Sequence, residues 1–259
     1  LYVVNFNLHG GHSKASTVSI VDPEEMIEVE RVETGVKPHG SRMLNNGLKH
    51  YSVAMMTGSL YEIDAMSMEL TRTLSTAPPM KKGRHSSHNM HSMNHSNMNH
   101  SKNSSGMKMD HKMPAEKPTW VYPHPNDNLL YVVNNGTHNV VEVDVKKWKV
   151  LRTFKTDKGP YNCEVSRDGR FLVVTYKSAA KTGVWDLKKG KEVATFKNTR
   201  KVSHGVSISP DSRYAFVSVE GVGKEPGAVE IFDLKNLKAV AVAEIGKQAG
   251  GIAFWKMTN

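Results

Sequence analysis

The chain lacks most of the features that would place it quickly. It has one cysteine, Cys163, in 259 residues, so no intrachain disulfide is possible and cysteine usage leaves the redox compartment open. No apolar run reaches the roughly 18 residues that a membrane-spanning helix needs, so no membrane span is expected. There is no phosphate-binding glycine loop, no Gly-x-Ser-x-Gly elbow, no HExxH and no CxxC. Acidic residues are outnumbered, 25 against 35 basic ones, for a formal net charge of +10. The excess sits on lysines scattered near turns, such as Lys146, Lys147, Lys188, Lys189 and Lys191. A nucleic-acid site wants a basic stripe with interleaved aromatics, and none is present, so nucleic acid is not an expected partner. A lysine-rich solvated surface accounts for the charge and suits acidic partners. The chain opens at Leu1 inside an apolar run, which reads either as a leader removed on export or as a trimmed sequence.

What is present is a repeat. LYVVN occurs at 1–5 and again at 130–134, and YSVAM (51–55), FLVVT (171–175) and YAFVS (214–218) are of the same kind. Each is followed by a second short run that ends on an aspartate: Asp22, Asp64, Asp144, Asp186 and Asp233. The spacings are 42, 80, 42 and 47, so the 80 is one repeat plus an insertion. A short carboxylate at the end of a strand can accept from backbone N–H groups two residues on, which makes these aspartates turn residues rather than catalytic ones. A third run follows each aspartate (EMIEVERV, KVLRTFKT, AVAVAEIG). A fourth follows a Gly/Pro/His connector (NCEVS, GVSIS, GIAFW). Four short strands in 40–45 residues is the signature of a β-propeller blade. The predicted fold is therefore all-β: a propeller of five four-stranded blades. With strands lettered A to D outward from the axis, the chain begins on a B strand, and the terminal A strand GGIAFW is expected to close the ring against LYVVN. Closure would hide two sheet edges. The implied organisation is 1–76 for blades 1 and 2, 77–117 for a long loop insertion, and 118–259 for blades 3 to 5 and the closing strand.

The units STVSIVDPEEMIEVERVETGVKPHG and SHGVSISPDSRYAFVSVEG resemble the YVTN-type β-propeller repeats, over nearly the whole chain outside 77–117. The resemblance implies the propeller fold and an exported protein. It says little about activity.

The insertion carries the chemistry. Residues 85–113 read HSSHNMHSMNHSNMNHSKNSSGMKMDHKM, with His85, His88, His91, His95, His100 and His111 among Met90, Met93, Met98, Met107, Met109 and Met113. Its spacers are Ser, Asn, Lys and Gly, a composition that cannot bury a core and is expected to be disordered without a ligand. Seven of the fourteen methionines lie between Met80 and Met113, with no apolar neighbours in sequence to pack against. Imidazole suits copper, zinc and nickel, whereas thioether sulfur favours Cu(I). The mixture points to copper as the cofactor or cargo, in the Cu(I) and Cu(II) states, with zinc and nickel as competing metals. It resembles the Met/His-rich segments of bacterial extracytoplasmic copper-handling proteins.

Propeller geometry puts D–A connectors and B–C turns on one face. His39 and His204 lie in D–A connectors, His9 and His12 in the B–C loop of blade 1, and His138 in a B–C turn. With the insertion, this face takes all histidines except His50 and His124. Aligning blades on their A–B turns brings His39, Trp120, Tyr161, His204 and Gly250 to one position at the channel mouth. His39, His204, His9 and His12 are thus the expected ordered metal ligands, beneath the insertion. Cys163, at the start of an A strand, is expected to be buried and inert. The reading that follows is a periplasmic or extracellular β-propeller that captures, sequesters or delivers copper, its partners being metal ions and another copper-handling protein. The competing readings are a metal-dependent enzyme (an oxidoreductase or a lactonase-like hydrolase) with a site on the same face, and a protein-interaction propeller without metal.

Overall fold

The computed structural model describes residues 1–11, 13–77 and 114–257. Nineteen strands form five antiparallel sheets, and no helix occurs among the described residues. Blade 1 has three strands, β1 (Tyr2–Val4), β2 (Ala15–Asp22) and β3 (Ile27–Val36). The other four blades have four strands each. Blade 2 is β4 (Pro38–Met43), β5 (Lys49–Ala54), β6 (Ser59–Asp64) and β7 (Leu70–Ser75). Blade 3 is β8 (Pro118–Pro123), β9 (Leu129–Asn134), β10 (Asn139–Asp144) and β11 (Lys149–Lys155). Blade 4 is β12 (Pro160–Val165), β13 (Phe171–Tyr176), β14 (Lys181–Asp186) and β15 (Lys191–Lys197). Blade 5 is β16 (Val202–Ile208), β17 (Tyr214–Glu220), β18 (Ala228–Asp233) and β19 (Lys238–Glu244). This is the expected β-propeller architecture.

The hydrophobic runs are continuous because the middle strands are covered on both faces. In β13, Leu172, Val174 and Tyr176 face blade 3 with Cys163, while Phe171 and Val173 face blade 5. In β9, Tyr131 and Val133 face blade 4, and Leu130 and Val132 face blade 2. The core is therefore a series of apolar layers between neighbouring blades, and the layer between blades 1 and 2 is the smallest. Blade-to-blade packing is what brings distant residues together at the axis.

The repeated aspartates behave as expected. Asp22 Oδ1 accepts from Glu24 N at 2.8 Å. Asp64 Oδ1 accepts from Met66 N at 2.9 Å, Asp144 Oδ1 from Lys147 N at 2.7 Å, Asp186 Oδ1 from Lys189 N at 2.9 Å, and Asp233 Oδ1 from Lys235 N at 2.9 Å. Each satisfies turn donors that no strand can pair.

The closing strand differs from expectation. Residues 250–254 take the place of a further innermost strand beside blade 5. Ser218 Oγ donates to Gly250 O at 2.6 Å, just as the equivalent Thr175 Oγ1 donates to His204 O at 2.8 Å. Phe254 N donates to Ser207 Oγ at 3.1 Å. Among the described residues β1 pairs with β2 alone. Unpaired with one another among the described residues, the two segments leave Val3 40% and Trp255 88% exposed. The outermost strand β19 is exposed along its whole length, with no blade against it among the described residues.

The insertion does join β7 to β8. Its described flanks are held by B–C turns: Thr76 N donates to Gly58 O at 3.0 Å and Gly136 N to Glu116 O at 2.8 Å. Both ends therefore lie on the face that carries the D–A connectors, here called the upper face.

Candidate functional site

Three innermost strands, β4, β8 and β12, enter from the upper face through one local device. Lys37, Lys117 and Gly159 have φ of 54°, 47° and 67°, and each precedes a proline that starts β4, β8 or β12. Register then breaks by one residue, between Pro38 and Ser41, Pro118 and Trp120, and Pro160 and Cys163. The residue after the proline is turned toward the axis by this bulge.

The ladders place His39, Thr119, Tyr161, His204 and Gly250 at one level of the channel mouth. The sequence alignment had Trp120 where Thr119 stands. The difference is one residue in the A–B turn of blade 3. The left-handed position there is Asp127, with φ of 58°, equivalent to Gly47 at 74° and Gly169 at 71°. Aspartate tolerates this conformation, so no glycine marks the register.

His39 Nδ1 lies 2.8 Å from Thr119 O. A carbonyl can only accept, so Nδ1 carries the proton and Nε2 is the acceptor. Tyr161 OH donates to that Nε2 at 2.9 Å. His204 repeats the pattern: its Nδ1 donates to Gly250 O at 3.0 Å, and its Nε2 faces Glu220 Oε1 at 3.5 Å. The last contact is an ion pair only when His204 is protonated. Burial, then the charge of Lys177, hold His204 below its ordinary value, with Glu220 acting against them. Burial drives His39 further down, to about 4. Both imidazoles are therefore neutral near neutral pH, and among the described residues the Nε2 lone pair of His204 has no donor. Nδ1–H bonded to a carbonyl leaves Nε2 as the atom that could bind a metal; in His204 it faces Glu220, and in His39 it is held by Tyr161 OH.

Aromatic contacts complete the collar. Tyr161 lies edge-on to His39 with ring centroids 5.2 Å apart, and 4.7 Å from His204. Phe6 meets His39 at 5.5 Å, and Lys177 Nζ sits 4.2 Å over the Tyr161 ring. Val4, Phe6, His39 and Tyr161 line an open cleft of about 290 Å³. Burial, reinforced by Glu220, pushes the Tyr161 phenol up, so Tyr161 remains a donor.

His39 and His204 are thus brought into one cluster with Tyr161. His9 is exposed in its loop and makes none of these contacts. His12 lies outside the described residues, as do His85, His88, Met90, His91, Met93, His95, Met98, His100, Met107, Met109, His111 and Met113. His138, at φ of 54°, is a turn residue whose Nδ1 lies 3.0 Å from Asn135 O. Among the described residues, no three His, Cys, Asp or Glu side chains gather closely enough to hold a metal by themselves. Cys163 is fully buried, and burial pushes its thiol well up, as an inert core residue requires. Sequence reasoning missed Lys177 and Glu220. Glu220 ends β17, next to His204's own strand β16, and Lys177 follows β13 and lies over the Tyr161 ring.

No protein-family model and no curated protein sequence matches the chain. Among solved structures it is similar to a chain of hydrazine synthase from Kuenenia stuttgartiensis, with a TM-score of 0.63 at 17% identity. The match covers 81% of this chain and 49% of that one, so this chain spans about half the length of its structural neighbour. At that identity the likeness concerns the fold alone, and it agrees with the five antiparallel sheets: the chain folds as a β-propeller.

Proposed function

We propose that this propeller captures copper outside the cytoplasm, holding it for sequestration or for delivery to another copper-handling protein. One observation carries the reading. A segment with six histidines and six methionines joins β7 to β8 on the upper face, the face that presents the neutral imidazoles of His39 and His204. Imidazole and thioether together serve both Cu(II) and Cu(I), whereas zinc or nickel would need no thioether. Insertion ligands without fixed spacing make several exchangeable sites. His39 and His204, each fixed through Nδ1, offer a more ordered stop beneath them. The YVTN-like repeats, an exported type, support the location.

Protons compete with copper for imidazole. A histidine of ordinary basicity is half protonated at about pH 6.5, so uptake by the insertion weakens below about pH 6. The buried His39 stays neutral to about 4, and copper would reach its Nε2 by displacing the Tyr161 hydroxyl that donates to it at 2.9 Å.

The test is calorimetric titration with Cu(II), and with Cu(I) under reductant, of the intact chain and of a chain lacking residues 80–113. The intact chain is expected to take up several ions. The deleted chain should keep at most one, and lose it on His39→Asn with His204→Asn. Equal uptake by the intact and deleted chains would overturn the proposal.

A further inference from the structure

The channel has a second level below the collar. Arg42, Tyr122, Glu164 and Ser207 occupy equivalent places on β4, β8, β12 and β16, opposite Tyr51, Tyr131, Val173 and Phe216 of the neighbouring strands. They open on a cleft of about 430 Å³ at the lower mouth. That is the size of a small-molecule site. The residues proposed above for copper take no part in it.

Arg42 is the unusual member. Its guanidinium carbon lies 4.8 Å from the Trp120 ring and 5.6 Å from the Tyr122 ring. Its one hydrogen bond goes to the neighbouring carbonyl, Ser41 O, at 2.9 Å. Among the described residues it forms no ion pair, although Arg31, Arg72, Arg152 and Arg200 all do. A half-buried guanidinium with no direct ion pair among the described residues, its nearest acid Glu164 lining the same cleft, keeps fork positions open for an oxyanion. The surroundings favour one. One Glu164 oxygen accepts from Ile208 N at 2.9 Å, and burial, opposed by that hydrogen bond and by Arg42, pushes the acid up to about 7, so below neutrality the protonated group is a donor. Arg167 adds a second positive charge at the rim, and Phe254 and Trp255 make the facing wall apolar.

We propose that this lower cleft binds a small hydrophobic carboxylic acid, its carboxylate paired with Arg42 and its apolar body against Phe254 and Trp255. The fork selects a planar carboxylate, and the wall selects an aromatic or short aliphatic body.

The probe is benzoate, with benzyl alcohol as a neutral compound of similar size. Binding to the full chain is followed by calorimetry and by the tryptophan fluorescence, to which Trp255 in the cleft contributes with three other tryptophans. Benzoate is expected to bind at least about tenfold more tightly than benzyl alcohol, because charge-assisted hydrogen bonds distinguish them. Arg42→Gln should lower benzoate affinity by about the same factor, with far-UV circular dichroism unchanged. If Arg42→Gln does not fold, the two-probe comparison on the unmodified chain decides the matter. No benzoate binding, equal binding of the two probes, or undiminished benzoate binding to folded Arg42→Gln would overturn the proposal.

Discussion

Replacing His50 with phenylalanine should flatten the acid sensitivity of the fold. His50 is 2% exposed and stacks on Tyr2 at 4.1 Å, which links blade 2 to β1. Its Nδ1 is buried without a partner. Burial first, and the charge of Arg42 second, hold its pKa down to about 3. A histidine in the unfolded chain titrates near 6.5. From about pH 6.5 down to about pH 4.5 the unfolded chain therefore takes up a proton that folded His50 refuses, and stability falls as pH falls. One proton is worth about 1.4 kcal/mol per pH unit, so His50 contributes a loss of about 2–3 kcal/mol across that window. His39, down to about 4, and His204, also lowered, act in the same direction. Glu164 acts in the opposite one, because its folded acid, raised to about 7, takes up its proton before the unfolded chain does. Comparing the unmodified chain with His50→Phe isolates the single group. Urea unfolding of both proteins at several pH values across the window gives the two curves. The difference between them should shift by about 2–3 kcal/mol in favour of phenylalanine as the pH is lowered. Curves that stay parallel would refute the reasoning, because His50 would then be taking up its proton in the folded state.

Two further outcomes follow from the packing. Arg152 Nε and Nη2 reach Glu142 at 2.8 and 2.5 Å, and Glu142, 3% exposed, otherwise has Tyr131 OH at 3.0 Å. Arg152→Ala should cost about 2–3 kcal/mol in urea unfolding, the lower end for a broken buried pair because the arginine is partly exposed; leucine at both positions should recover most of it. Gly40 lies under Trp120, and a β-carbon there would stand 2.6 Å from Thr119 O and from the indole. Gly40→Ala should lower stability by about 1–3 kcal/mol and disturb the His39–Thr119 bond, seen as a shifted His39 titration in proton NMR.

The blades were legible because their signals are local. Asp22, Asp64, Asp144, Asp186 and Asp233 mark turns within their own hairpins, and each repeat supplies its own strands. Runs such as LLYVVN and FLVVTY announce strands covered on both faces whatever neighbours cover them. The burial of Cys163 followed from its place in such a run. The collar was legible in part: His39, Tyr161 and His204 share a repeat position, but Thr119 was hidden because Asp127 rather than a glycine takes the left-handed turn.

Sequence by itself determined the fold class, the blade boundaries, the aspartate turns and the position of the His/Met segment between β7 and β8. All of these depend on contacts within one repeat. Tertiary structure decided the rest. It set residues 250–254 beside blade 5 rather than against β1, joined Tyr161 to His39 across 122 residues, and left Arg42 without a direct ion pair among the described residues, in a cleft beside Glu164. Those outcomes depend on the angle and spacing at which blades pack, and they are set by the apolar layers between blades, which no single repeat encodes.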